Sequence, residues 1–302
     1  MNNTGVIRSV GSTRAYDYSK ICTIKDEDVP ASYRIKNTPH VLDQGMVGSC
    51  VAHGLAENLQ ANHFKNTGEM LDLSVLEIYG LWRRDEFDKE SGMYVQTALN
   101  RGREIGTIPR RLAPENIEVP DAIKKAKEYQ EMYPDAFAFK IGSYFEIRKT
   151  TKFEINLKKA IMQFDLPVIV VRSTGGTWHC EIAIGWDEEG IILQNSWGRE
   201  WGDNGLHHYK AKNLEEAYVV IMDDIKIPFT DVDEHWAEKY IRNLYFANII
   251  DGYEDGTFRP EEHMKRSEVA KMIDSIMQIH DAKNQKLEER IKELEERIKE
   301  LK

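Results

Sequence analysis

The apolar positions of the chain change their spacing near its middle. From Ser49, the stretch "SCVAHGLAENLQANHFKNTG" sets Ala52, Leu55, Ala56 and Leu59 on one helical face, with Ser49 placed as an N-cap and Gly68 as a stop. "LSVLEIYGLWRRDEF" predicts a second helix capped by Ser74, and "YVQTALNRGREIG" a third that ends at glycines. "PDAIKKAKEYQEMYP" predicts a charged surface helix between prolines, and "FEINLKKAIMQFD" an amphipathic one. From Leu166 the residues become β-branched and aromatic. "LPVIVVRST", "WHCEIAIGWD" and "IILQNSW" read as strands, the last two joined by a turn at "DEEG". A helical half followed by a sheet half predicts an α+β fold. Residues 1–38 are polar and weakly periodic, and are expected to form an arm ahead of a domain spanning 39–226.

A second unit is expected over 228–280, where two helical patterns flank a Gly/Asp-rich loop. It is too short to bury much core by itself. Over 281–302 apolar residues recur at Leu287, Ile291, Leu294, Ile298 and Leu301, alternately four and three apart, with Glu and Lys at the flanks. That is a coiled-coil seam of little more than two heptads, marginal alone but sensible for oligomerisation.

The 302 residues are 41% hydrophobic and 30% charged, which suits a globular core plus smaller modules. The net charge of −10 argues against nucleic acid or an anionic membrane surface as a partner. No run approaches the roughly 18 apolar residues that a membrane span requires, so no membrane insertion is expected. The N-terminus carries no apolar segment of the secretory type, and a cytoplasmic origin is the expectation. Three cysteines, Cys22, Cys50 and Cys180, are too few for a disulfide scaffold.

Cys50 falls in the first turn of the predicted helix, where a helix N-terminus stabilises a thiolate. A nucleophilic thiol also needs a histidine, itself oriented by a third polar group. The predicted hairpin offers His179 on one strand and Asn195 on the next. Gln44, six residues before Cys50, carries an amide N–H that can join the Cys50 backbone N–H in an oxyanion hole. Other candidates carry less. His53 is expected to pack or to face solvent, and Cys180, on the strand face opposite His179, to lie in the core. His207 and His208 diverge as neighbours on a strand and define no metal site; Asp187, Glu188 and Glu189 read as a solvated turn. No cofactor is implied.

"QGMVGSC", "WHCEIAIGWD" and "NSWGREWGDNG" together resemble the papain family of cysteine peptidases. His179 and Asn195 fall 129 and 145 positions after Cys50, where the family spacing is about 130 to 150. The resemblance implies a two-lobed fold, a helical lobe against an antiparallel sheet lobe. It also implies Gln44 in the oxyanion hole, Cys50 as nucleophile, His179 as base then acid, and Asn195 as its orienter. Trp197 would shield the His–Asn bond at the substrate cleft, and Ser91 and Gly92 would match the positions that bind substrate backbone. Val47 stands where the family usually has a cysteine, and Val51 where it usually has a tryptophan; neither touches a catalytic role. The family's long helical prodomain is absent, so any self-inhibition falls to the arm. Its Cys22 raises the further expectation of a disulfide with Cys50, a redox-locked zymogen.

"FTDVDEHWAEKYIRNLYFANIIDGYEDGTFRPEEHMKRSEVAKMI" resembles an S-layer homology module. This implies binding of acidic cell-wall polysaccharide, with Arg266 as the anion contact and Asp255 and Gly256 shaping the loop. The family's Thr-Arg-Ala-Glu segment is here "KRSE", which keeps Arg266 and Glu268. Such modules work in threes, and this stretch supplies one. A homotrimer would complete the arrangement, although Ile at a with Leu at d favours parallel dimers. The expected function is a cysteine endopeptidase acting on protein or peptide substrates and attached to the cell envelope. Alternatives are a silent wall-binding protein on the same fold, and an amidase or transpeptidase acting on wall peptides.

Overall fold

A computed structural model of the protein describes residues 6–7, 15–68, 70–83, 92–113, 122–133, 139–222, 228–233, 235–246 and 249–278, with single positions beyond. The chain divides into two compact units. One holds residues 1–9 and 17–225, the other chiefly residues 226–302. The strands are β1 (Val6–Ile7), β2 (Tyr16–Asp17), β3 (Tyr33–Arg34), β4 (Met93–Tyr94), β5 (Ser143–Glu146), β6 (Val168–Ser173), β7 (Trp178–Trp186), β8 (Ile191–Gln194), β9 (Leu206–Tyr209) and β10 (Leu214–Ile221). The helices are α1 (Cys50–Thr67), α2 (Val75–Leu81), α3 (Val95–Glu104), α4 (Ala122–Met132), α5 (Phe153–Phe164) and α6 (Glu238–Phe246).

The first unit is an α+β body of two lobes. In the helical lobe, α1 is buried from Cys50 through Asn62, polar residues included, so both sides of the helix are covered. Its Asn58 donates to the Pro167 carbonyl at 2.7 Å and its Asn62 to the Val220 carbonyl at 3.1 Å, which is how a buried polar face is satisfied. Gly68 ends α1 at φ +77°, a left-handed stop that other residues rarely adopt. Ser74 caps α2 by accepting the Glu77 N–H. Gly80 permits the close approach of α2 and α4, since a β-carbon there would stand 2.4 Å from that of Ala126.

The sheet lobe is antiparallel, in the order β5, β10, β6, β7, β8, β9. Three of these strands lie outside the runs that periodicity marks. β5 comes from within the half expected to be helical and pairs with β10 through Tyr218 opposite Glu146. Four residues are too few to show a period, and β10, "LEEAYVVI", opens on charge where it meets solvent. The segment expected to be an arm is also part of this body from residue 17 onward. Tyr18 is fully buried, Tyr33 stacks on Trp186 with ring centroids 5.3 Å apart, and the Ile35 N–H donates to the Ile184 carbonyl at 2.9 Å.

The N-terminal tip makes a separate contact. β1 runs parallel to β4, with Val6 opposite Met93 and Ile7 opposite Tyr94, and antiparallel to β7, with Val6 opposite Trp178. It bridges the two lobes at the residue before His179 and the residue after Gly92.

The second unit contains α6 and a largely exposed helix over residues 266–278; Phe229, Val232 and Ile241 are buried, the Phe229 ring lying against Tyr245 and Phe258. Its loop is held by two aspartates. Asp255 accepts from the Thr257 N–H and pairs with Arg259 at 2.8 Å, and Asp231 accepts the N–H groups of Phe258 and Arg259. Gly256 supplies the left-handed turn at φ +77°. In the "KRSE" segment the Glu268 carboxylate accepts the Lys265 N–H at 2.9 Å. That is one half of a capping box; lysine, where the family pattern has threonine, cannot supply the hydroxyl half. The heptad run from Leu287 lies outside the described residues.

Candidate active site

Cys50 opens α1, so its thiol sits at the positive end of the helix dipole. Ser49 occupies the N-cap position, as expected, but its side chain does not cap the backbone. Its hydroxyl turns to His53 Nδ1, 3.2 Å away, and His53 Nδ1 also meets the Ser49 carbonyl at 3.0 Å. His53 is buried rather than solvent-facing, and burial pushes its pKa down to about 4.

Across the cleft, β7 delivers His179 to the thiol. Its Nε2–H donates to Asn195 Oδ1 at 2.8 Å, a bond that fixes the neutral tautomer and leaves Nδ1 to work with Cys50. Burial opposes charge on the imidazole. The Cys50 thiolate facing the ring, together with Glu181 and Asn195, outweighs it and holds the His179 pKa above its ordinary value. The sulfur gains a further donor. Cys180 N–H points at Cys50 Sγ from 3.5 Å, while the Cys180 thiol itself is buried, 3.4 Å from where a β-carbon on Gly54 would stand. Trp197 stacks on His179 with centroids 4.6 Å apart and planes 26° apart, covering the His–Asn bond.

Gln44 is buried beside this group. Ser196 Oγ–H donates to its Oε1 at 2.7 Å and its Nε2–H donates to the Val47 carbonyl at 2.8 Å, so the amide is oriented before any substrate arrives. Gln44, Cys50, His179, Asn195 and Trp197 are thus brought together. Gly92 lies beside β4, and Ser91 lies outside the described residues. Cys22 is not joined to Cys50: neither thiol is in a disulfide, and Cys22 Sγ donates to the Ile24 carbonyl at 3.6 Å. His207 and His208 do diverge, the first to Glu181 at 2.9 Å and the second to Asp187 at 2.8 Å. Glu181 and Arg172, both at this site, were not singled out by motif. The available signal was an isolated acid in the apolar strand "WHCEIAIGW", two residues from the histidine and so on the same face.

The fold matches solved structures. Xylellain, a cysteine protease from Xylella fastidiosa, superposes with a TM-score of 0.61 at 19% identity, over 74% of this chain and 97% of that one. The fold is that of the papain-like cysteine proteases. The proform of the ragweed pollen cysteine protease Amb a 11 matches with a TM-score of 0.54 at 18% identity, over 69% of this chain and 70% of its own. Digestive procathepsin L 3 of Tenebrio molitor also matches with a TM-score of 0.54, at 15% identity over 73% and 76%.

Residues 228–270 match the S-layer homology domain. Two proteins of Acetivibrio thermocellus resemble the chain in sequence over short stretches. A cellulosome-anchoring protein is 44% identical over 50 residues, 17% of this chain, and cell surface glycoprotein 1 is 36% identical over 87 residues, 28% of this chain. These matches span only 11% and 4% of those relatives' own lengths. The papain-like fold therefore shares this chain with a module that also occurs in cell-surface proteins. Arg266 is exposed at the start of the helix over 266–278.

Proposed function

We propose that the chain is a cysteine endopeptidase, held latent by its own N-terminal segment and attached to the cell envelope through its S-layer homology domain. The observation that carries the peptidase reading is the buried imidazole of His179, oriented by Asn195 on Nε2 and facing the Cys50 thiol, whose Sγ lies 3.5 Å from the backbone nitrogen of the next residue, Cys180.

The chemistry follows from that geometry. The Cys50 thiolate attacks the scissile carbonyl carbon, and the charge that develops on oxygen is met by the Cys50 backbone N–H and the Gln44 amide. Protonated His179 gives its proton to the leaving amine as the tetrahedral intermediate collapses to a thioester. Neutral His179 then takes a proton from water, which attacks the thioester, releases the acid and restores the thiol.

β1 supports the latency. Its backbone pairs with Trp178 and with Met93–Tyr94, the strand edges on either side of the cleft. An extended substrate needs the same unpaired edges. On this reading latency comes from strand pairing and not from a Cys22–Cys50 bond.

The S-layer homology domain supports envelope attachment by binding wall polysaccharide, with Arg266 as its exposed cation. One copy leaves apolar surface uncovered: Ile273, Ile276 and Met277, three and four apart on one helix face, are 50%, 43% and 57% exposed. Association through the heptads beyond would cover such a face, and a trimer would restore the usual three modules.

Hydrolysis of an unstructured protein by the full chain, compared with Cys50→Ala and His179→Ala, tests the peptidase reading. Cleavage lost in both variants is expected. Equal cleavage by wild type and Cys50→Ala would overturn it. Cosedimentation with purified cell-wall polysaccharide, lost in Arg266→Ala, tests the attachment.

A further inference from the structure

The face of the sheet that carries His179 also carries a buried anion. Glu181 follows His179 by two residues on β7, so both side chains leave the same face. Arg172 lies opposite His179 on β6. The register that sets Gln194 opposite Ile182 sets the next residue, Asn195, opposite Glu181. His207 lies opposite Leu193, two residues before Asn195 and on the same face as it. Strand geometry alone therefore gathers His179, Glu181, Arg172, Asn195 and His207.

Their contacts are specific. Arg172 grips the Glu181 carboxylate with two donors, Nε to Oε2 at 2.5 Å and Nη2 to Oε1 at 3.2 Å. His207 Nε2 meets Oε1 at 2.9 Å. The same Oε1 stands 3.9 Å from His179 Nε2, too far for a hydrogen bond because Asn195 takes that N–H, but close enough for the charge to act. The Glu181 side chain is wholly buried. Trp197 stacks on His179, and Trp201 meets both Trp197 and His207 edge to face, a chain of rings from one histidine to the other. Tyr209 lies beneath the Arg172 guanidinium.

A buried carboxylate is costly unless paired, and two donors plus an imidazole pair this one. Burial would push its pKa up, but the bonds from His207 and Arg172 bring it down to about 2, so it stays charged over the working pH range. The other acids near it differ. Burial pushes the Glu57 carboxyl on α1 well above the usual carboxylate range, and Glu216 on β10 accepts a bond from Tyr218. Cys50 faces His179, and Cys180, on the opposite face of β7, has its thiol pushed well up by burial.

We propose that Glu181, clamped by Arg172 and His207, is a positioning residue for the proposed peptidase reaction, stabilising the imidazolium form of His179 and so the thiolate–imidazolium pair with Cys50. Asn195 orients the ring and Glu181 supplies the compensating charge. A purely structural ion pair would hold β6, β7 and β9 together without any effect on His179.

This inference rests on the peptidase reading, and the test separates the two. The rate of Cys50 alkylation by iodoacetamide is followed from pH 4 to 10 by intact mass, in the full chain carrying Ile7→Pro to open the cleft. Thermal midpoints are measured alongside. Glu181→Gln is expected to move the alkaline limb of the profile, where His179 loses its proton, down by about 1 pH unit. Glu181→Asp, which draws the carboxylate back by one methylene, is expected to move it the same way by less, and decides the matter should Glu181→Gln not fold. A lower thermal midpoint with superimposable pH profiles would overturn the inference and leave a structural ion pair. No alkylation of Cys50 in the Ile7→Pro background would overturn the peptidase reading itself.

Discussion

His179 Nε2 lies 2.8 Å from Asn195 Oδ1, although 16 residues separate them, because the β7–β8 hairpin returns the chain alongside itself. The bond decides which imidazole nitrogen faces the thiol. Replacing Asn195 with Ala frees the ring to rotate and to exchange tautomers. A fall in kcat/KM of about a hundredfold is expected, mostly in kcat, with the fold retained by circular dichroism.

Gln44 is held by Ser196 and Val47 before substrate binds, so its contribution is expected in the transition state. Gln44→Ala should lower kcat by about a hundredfold and leave KM within a few-fold. Ser196→Ala, which loosens the same amide without removing it, should lower kcat by less. A change confined to KM would show that Gln44 binds substrate uniformly and does not meet the oxyanion.

β1 should govern latency. Ile7→Pro removes a backbone N–H and disturbs the pairing with Tyr94. The variant is expected to cleave a small peptide substrate at least tenfold faster than the wild type before any processing. Cys22→Ala and added reductant should leave the wild-type rate unchanged. Activation by reductant that depends on Cys22 would instead restore the disulfide lock.

His53 predicts a pH dependence of stability. Its folded pKa is depressed to about 4 from 6.5, so the unfolded chain binds the proton more readily. The stability this contributes is complete above the unfolded value and is lost as pH falls from 6.5 to 4. The loss is about 3 kcal/mol. Thermal melts from pH 8 to 4 should therefore show a steeper decline in wild type than in His53→Gln; parallel declines would remove His53 as the cause.

The residues of the candidate site were legible because each sits in a short motif whose local geometry is nearly forced: a glycine-rich turn into α1, a histidine at the second residue of β7, an asparagine after β8. α5 was legible because a long periodic segment shows its buried face, and α1 because a long run between Ser49 and Gly68 marks a helix even though both its sides are covered. Residues 17–38 were not. Tyr18, Tyr33 and Ile35 are spaced without any period, and their burial depends on edges of β7 and α5 that only the folded body supplies. β5 and β10 were hidden for a related reason: β5 becomes a strand only on the edge of β10, and β10 only against β6. Glu181 shows a further limit. Its place beside His179 follows from the alternation along β7, but its clamp comes from Arg172 and His207, on strands whose register the sequence does not display.

The most direct test of the central claim is the intact mass of the full chain after an epoxysuccinyl peptidase inhibitor. One covalent adduct on Cys50 is expected, forming slowly in wild type, quickly in Ile7→Pro, with or without reductant, and not at all in Cys50→Ala. No adduct in either wild type or Ile7→Pro, with both folded, would contradict a nucleophilic Cys50.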